Sequence, residues 1–179
     1  MKPIICIPKI VNKNQLAELQ NSEYLAPGVN VVYIYYLVGK LVPYPKRKGN
    51  ILYIGEAMRN SEPTGVRFRQ HITRSAISGA DTGNNLTLSQ YFHAGWDIGL
   101  SIFETNSNRT DRERDLIYAH ISRFGAPPIA QGKTPHNENG RNRTTHIFQF
   151  IENNKVQIIK AEAILRLLVI KYGLTWRST

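Results

Sequence analysis

Cysteine is nearly missing: Cys6 is the only one in 179 residues. That excludes an intrachain disulfide framework and any zinc site built from several thiolates. Long apolar runs are missing too. None approaches the ~20 residues of a membrane-crossing helix. The opening "MKPIICIPKI" is broken by two prolines and is a poor match to a secretory leader. Acidic residues are scarce, with Asp plus Glu at 13 against 23 Lys plus Arg, a net charge of +10. The surplus favours an anionic partner, nucleic acid before a membrane surface. Five histidines, at 71, 93, 120, 136 and 146, show no HExxH spacing. What is present is enough apolar residue, 41%, and enough aromatic, 9%, to build a core and to exclude a disordered basic tail. The expectation is a soluble cytoplasmic protein of one domain with extensions.

Residues 14–20 read as a short helix. "VNVVYIYYLV" (29–38) is β-branched and aromatic and reads as a strand. "ILYIG" (51–55) reads as its antiparallel partner, across a Pro-rich basic connection, "VPYPKRKGN". Helical spacing over 65–78 puts Phe68, Ile72 and Ala76 on one face and Arg67, His71 and Arg74 on another. "GADTGNN" (79–85) ends that helix, and 86–93 reads as a short one. "WDIGLSIFET" (96–105) is a third strand. The stretch 106–125 is a helix that Asn108 or Thr110 can cap and Gly125 can end, with Pro127-Pro128 beyond. A polar stretch to Thr145, a hairpin from "HIFQF" and "KVQII", and a helix over 161–172 complete the chain. The class is α/β (α+β), with a mostly antiparallel three-stranded sheet flanked by helices. The divisions are an N-terminal extension (1–28), a core (29–130) and a C-terminal extension (131–179).

Tyr33, Tyr53, Arg67, His71 and Glu113 bring together phenols, a guanidinium, an imidazole and a carboxylate. Phosphodiester hydrolysis needs such a set. A carboxylate holds a divalent ion, an arginine grips the scissile phosphate with two parallel hydrogen bonds, and a base removes a proton from water. A tyrosine, with a pKa of ~10, serves as that base only beside positive charge.

On these residues the chain resembles the GIY-YIG nuclease family over about residues 29–130. Val31-Val32-Tyr33 stands for the first half-motif and Tyr53-Ile54-Gly55 for the second. Arg67 through His71 matches the family's arginine helix, and Glu113 with "RDLIYAHISRFGAPP" matches its glutamate helix. The resemblance implies a small α/β sandwich that cuts DNA with one divalent metal, Mg²⁺ or a similar ion such as Mn²⁺. It implies that Tyr33 contacts or deprotonates the attacking water, and that Tyr53 holds the phosphate or positions the nucleophile. Arg67 would bind the phosphate, His71 would support Arg67 or a tyrosine, and Glu113 would be the metal ligand. The chain departs from the pattern in four places. Val31 replaces a glycine, the half-motifs are spread by the insertion, Glu56 stands where a lysine is frequent, and Ala130-Gln131 stand where an asparagine is frequent. Lys40, Lys48 or Arg69 are sources for the lost positive charge. Asn137, Asn139 or Asn142 are substitutes for the asparagine.

Other readings stand beside these. Glu113 also fits a capping box with Thr110, and Glu104 is the second candidate carboxylate. Lys46, Arg47, Lys48, Arg69 and Arg74 are phosphate-contact candidates. In "TPHNENGRNRTTH" (134–146), Arg141, Asn142 and Arg143 are candidates for reading base edges. A metal cluster of His136, Glu138 and His146 is disfavoured. The expected function is a divalent-metal-dependent, sequence-specific restriction-type endonuclease on double-stranded DNA, acting as a homodimer. The alternatives are a structure-specific repair or mobile-element nuclease, a non-catalytic nucleic-acid-binding module, or an RNA-binding protein.

Overall fold

The computed structural model describes residues 3–73, 85–106 and 108–132. In chain order they form β1 (Ile5–Ile7), α1 (Lys13–Ala17), 3-10 turns at Glu18–Asn21 and Glu23–Leu25, and β2 (Val31–Leu37). Next come β3 (Val42–Pro43), β4 (Lys48–Gly49), β5 (Ile51–Ala57) and a 3-10 helix at Thr64–Gln70. They end with α2 (Leu86–His93), β6 (Ile98–Glu104) and α3 (Arg109–Phe124). No helix among the described residues is long and apolar enough to cross a membrane.

The main sheet has the order β1-β6-β2-β5, and every pairing is antiparallel. All seven residues of β2 are buried. A strand with a neighbour on each edge and cover on each face has no solvent side to mark with polar residues, so it reads as a continuous apolar run. Alternation survives in what each face touches. Val31, Tyr33, Tyr35 and Leu37 enter one core with Leu16, Leu25, Phe68 and Ile72. Val32 and Ile34 enter a second core with Ile51, Ile54, Phe103, Leu116 and Ile117. The second core lies beneath α3, which contributes Leu116, Ile117 and Ala119 to it.

The expectation of three strands is corrected to four. Ile5↔Ile102, Cys6↔Ser101 and Ile7↔Leu100 place β1 on the outer edge of β6. Pro3 and Pro8 flank this three-residue strand, positions where a proline costs no ladder hydrogen bond. The short apolar run between the two prolines is therefore an edge strand, and the segment read as an N-terminal extension contributes to the sheet.

A second correction concerns residues 65–78. The backbone over Thr64–Gln70 is a 3-10 helix, closed by bonds such as Val66 N to Pro63 O and His71 N to Phe68 O. Gly65 explains the tight packing: a Cβ there would meet the Leu19 carbonyl oxygen at 2.0 Å. Phe68 and Ile72 are buried as the spacing predicts. Arg74 and Ala76 lie outside the described residues, as do the end expected for this helix at 78, the 134–146 stretch, the late hairpin and the 161–172 helix.

Candidate active site

The stretch "YIG" on β5 ends in glycine for a geometric reason. Tyr33 on β2 pairs with Gly55 across the sheet. A Cβ on Gly55 would lie 2.5 Å from the Tyr33 ring and its hydroxyl, and 2.7 Å from the Tyr53 ring. Only glycine leaves room for the Tyr33 ring to lie across β5 with its hydroxyl beside Tyr53. Tyr33 and Tyr53 are centred 6.0 Å apart, and Phe68 packs edge-on against Tyr33 at 5.0 Å.

Five expected site residues converge here. The Tyr33 hydroxyl lies within hydrogen-bond reach of Arg67, Tyr53 and His71, the last at 3.3 Å from Nε2. The 3-10 helix delivers Arg67 half-buried and His71 fully buried. Glu113 is close enough to Tyr53 and to Glu56 to raise the proton affinity of the first and to feel the charge of the second. Tyr53 and Glu56 occupy positions of opposite parity on β5, whose far edge carries no sheet neighbour among the described residues. A side chain near both sits at the sheet's edge, which is where the first turns of α3 bring Glu113.

The electrostatics follow from burial. Desolvation raises Tyr33 well above its ordinary value, and Tyr53 and Tyr35 add to this, while Arg67 opposes it. Tyr53 is raised for the same first reason, with Glu113 next. His71 is pushed down to about 3 by desolvation and then by Arg67, so its ring is neutral at ordinary pH. Glu113 is pushed up to about 7 by desolvation and by Glu56. A divalent cation at Glu113 would offset the repulsion it feels from Glu56. Among the described residues Glu113 has no ion-pair partner. Glu56, by contrast, is held by Arg109, whose Nε lies 2.5 Å from it and whose terminal nitrogen reaches the Asn30 side chain at 3.2 Å. No group of three or more His, Cys, Asp or Glu could hold a metal among the described residues. Glu113 is the residue at this edge that would hold a divalent ion through its carboxylate.

The capping-box reading of Glu113 does not fit the helix. Asn108 is the N-cap residue, its side chain makes no cap bond, and Thr110 is already helical. Gly125 ends α3 in the left-handed conformation at φ 84°, as expected. Glu104 is exposed at the end of β6.

The basic candidates divide. Lys46 closes α3: its backbone N–H donates to Phe124 O at 2.9 Å, and its ammonium donates to Ser122 O at 2.9 Å. A cation at a helix C-terminus also meets the favourable end of the helix dipole. The insertion carrying it is anchored again by Tyr44, which donates to Ile51 O at 2.6 Å and accepts from Ile129 N at 3.1 Å. Arg47, Lys48 and Arg69 are exposed. Arg141, Asn142 and Arg143 lie outside the described residues, together with Asn137, Asn139 and the His136, Glu138 and His146 set.

Sequence reasoning overlooked two contributors. Tyr35 shares a face with Tyr33, and its hydroxyl lies 2.8 Å from His71 Nδ1. The i, i+2 repeat of tyrosine on one strand was the available signal. Gln131 occupies the place searched for an asparagine. Its side-chain oxygen accepts from Ile54 N at 3.2 Å, beside Ala130 N donating to Leu52 O at 2.9 Å. The loop after α3 thereby covers the open edge of the strand that carries Tyr53.

No protein-family model matches the chain, no curated protein matches it, and no solved structure matches it.

Proposed function

We propose that the protein is a divalent-metal-dependent nuclease that hydrolyses phosphodiester bonds in double-stranded DNA. The observation that carries this reading is the convergence of Tyr33, Tyr53, Arg67, His71 and Glu113 from two strands, a 3-10 helix and α3 onto one edge of the sheet. The net charge of +10 supports a polyanionic substrate. In finer detail, we propose a sequence-specific restriction-type enzyme working as a homodimer, because a two-fold DNA site matches a two-fold protein.

Arg67 binds the scissile phosphate and meets the charge that builds on its oxygens. Tyr53, half-buried at the rim, donates a hydrogen bond to a phosphate oxygen or to the incoming water. Both phenols stay protonated at neutral pH, since their proton affinity is raised. Tyr33 becomes a phenolate base only with added positive charge, and Arg67 is its built-in source. Glu113 holds the cation, which supplies charge neutralisation at the phosphate when bound. Arg109 keeps Glu56 from competing with Glu113 for the same space.

The test is cleavage of plasmid and long linear DNA in Mg²⁺ or Mn²⁺, against EDTA, with wild type and Glu113→Gln in parallel. Discrete fragments that require both metal and Glu113 are expected. Cutting confined to branched or nicked DNA moves the reading to a structure-specific nuclease. Tight DNA binding with no cutting by the wild type rejects the enzyme and leaves a nucleic-acid-binding module.

A further inference from the structure

His71 stands between two tyrosines in a closed interior, with Tyr35 at Nδ1 (2.8 Å) and Tyr33 at Nε2 (3.3 Å). A neutral imidazole donates from one nitrogen and accepts at the other, so two arrangements are open. In one, Tyr33 donates to Nε2 and Nδ1–H donates to Tyr35. The Tyr35 hydroxyl proton then has no acceptor, because His71 is its one hydrogen-bond partner among the described residues and the side chain is 0% exposed. A buried unmet donor disfavours that arrangement roughly tenfold or more. In the other, Tyr35 donates to Nδ1 and Nε2–H donates to the Tyr33 oxygen. Tyr33 then accepts from both His71 and Arg67 and directs its own proton to Tyr53. Every donor and acceptor of the Tyr35, His71 and Tyr33 side chains is used sensibly in this second arrangement.

We propose that Tyr35 is a positioning residue: by donating to His71 Nδ1 it locks the Nε2–H tautomer, which turns the Tyr33 hydroxyl proton outward toward Tyr53 and the reacting phosphate. Tyr35 touches no substrate. It acts through His71, at the far end of a chain that runs Tyr35, His71, Tyr33, Tyr53. The tyrosine repeat on β2 thus pairs a site phenol with the buried phenol that orients it. This assignment depends on the nuclease reading only for its kinetic consequence.

Nitrogen-15 NMR of the histidine ring in the full chain tests the orientation without any substrate. The expected wild-type spectrum shows a pyridine-like Nδ1 and a pyrrole-like Nε2 for His71. Tyr35→Phe keeps the ring and its packing but releases the lock, so the Nδ1 signal moves and the Nδ1–H form gains population. Tyr33→Phe leaves the Nε2–H tautomer in place. A pyrrole-like Nδ1 in the wild type overturns the proposal, as do His71 signals in Tyr35→Phe that match the wild type. The wild-type spectrum decides even where a variant fails to fold. In a DNA-cutting enzyme, Tyr35→Phe lowers kcat about fivefold with KM unchanged, and an unchanged kcat overturns the positioning role. A protein that cuts no DNA but shows the Nε2–H ring rejects the nuclease reading alone.

Discussion

The two faces of β2 are equally buried and do different work. Toward α3, Val32 and Ile34 pack among Ile51, Ile54, Phe103, Leu116 and Ile117. Toward the 3-10 helix, Tyr33 and Tyr35 bury hydroxyls that must find partners, and His71 supplies both. The first face needs shape and volume. The second needs direction, since a buried polar network stabilises only when every member is satisfied. The contrast teaches that burial by itself does not separate core from site. Partner geometry does.

The largest effect that sharpens the contrast is on the tyrosine face. Arg67→Ala is expected to lower kcat on DNA by about 10³-fold, with the melting temperature nearly unchanged. Steady-state kinetics beside thermal melts measures both, and a variant that cuts normally breaks the assignment. Leu116→Ala on the α3 face does the reverse. It leaves a cavity under α3 and costs about 3 kcal/mol of stability, while activity per folded molecule is retained. Denaturant titration with an active-site titre reads the two separately. Equal loss of activity would erase the distinction between the faces.

Gly55→Ala strikes where a face and an edge meet. The new Cβ collides with both tyrosine rings, and about 2 kcal/mol of stability is lost through overpacking. Gly55→Ala combined with Tyr33→Leu should recover part of that stability without recovering cutting, which chemical denaturation can follow.

Two buried histidines give the pH arm. His71 is lowered to about 3 and His120 to about 4, both mainly by desolvation. Each carries fewer protons folded than unfolded between its folded value and about 6.5. Stability is therefore full above pH 6.5 and falls as the pH drops toward 3. Glu113 has the opposite sign. Its value is raised from 4.5 to about 7, so its neutral carboxyl favours folding below 4.5 and that support is lost as the pH rises through 7. Glu113→Gln should raise the metal-free melting temperature by a few degrees at pH 8 and not at pH 4. Melting curves across that range check it, and a gain at both pH values would locate Glu113 away from the dehydrated site.

The smallest effect belongs to the edge. Gln131→Ala leaves the Ile54 N–H on β5 without its side-chain acceptor and should cost about 1 kcal/mol. Faster hydrogen exchange at Ile54, with little change elsewhere, is the expected reading.

Much of the fold was open to reading in the chain itself. The β-branched and aromatic runs at 29–38, 51–55 and 96–105 read as strands from their composition, and α3 announced its end through Gly125 and the prolines beyond. The five candidate residues were legible in their chemical types and their order. Their meeting was not, since it depends on how the 3-10 helix and α3 dock at the sheet's edge. Three features were decided by tertiary structure alone. A three-residue strand such as β1 has no periodicity of its own and exists because β6 offers it an edge. Gly55 follows Tyr53 because Tyr33, 22 positions earlier on the paired strand, needs its space. The orientation of the Tyr33 hydroxyl is set by His71 and Tyr35. Sequence specifies local propensity and the inventory of polar groups, while only packing determines which donor faces which acceptor.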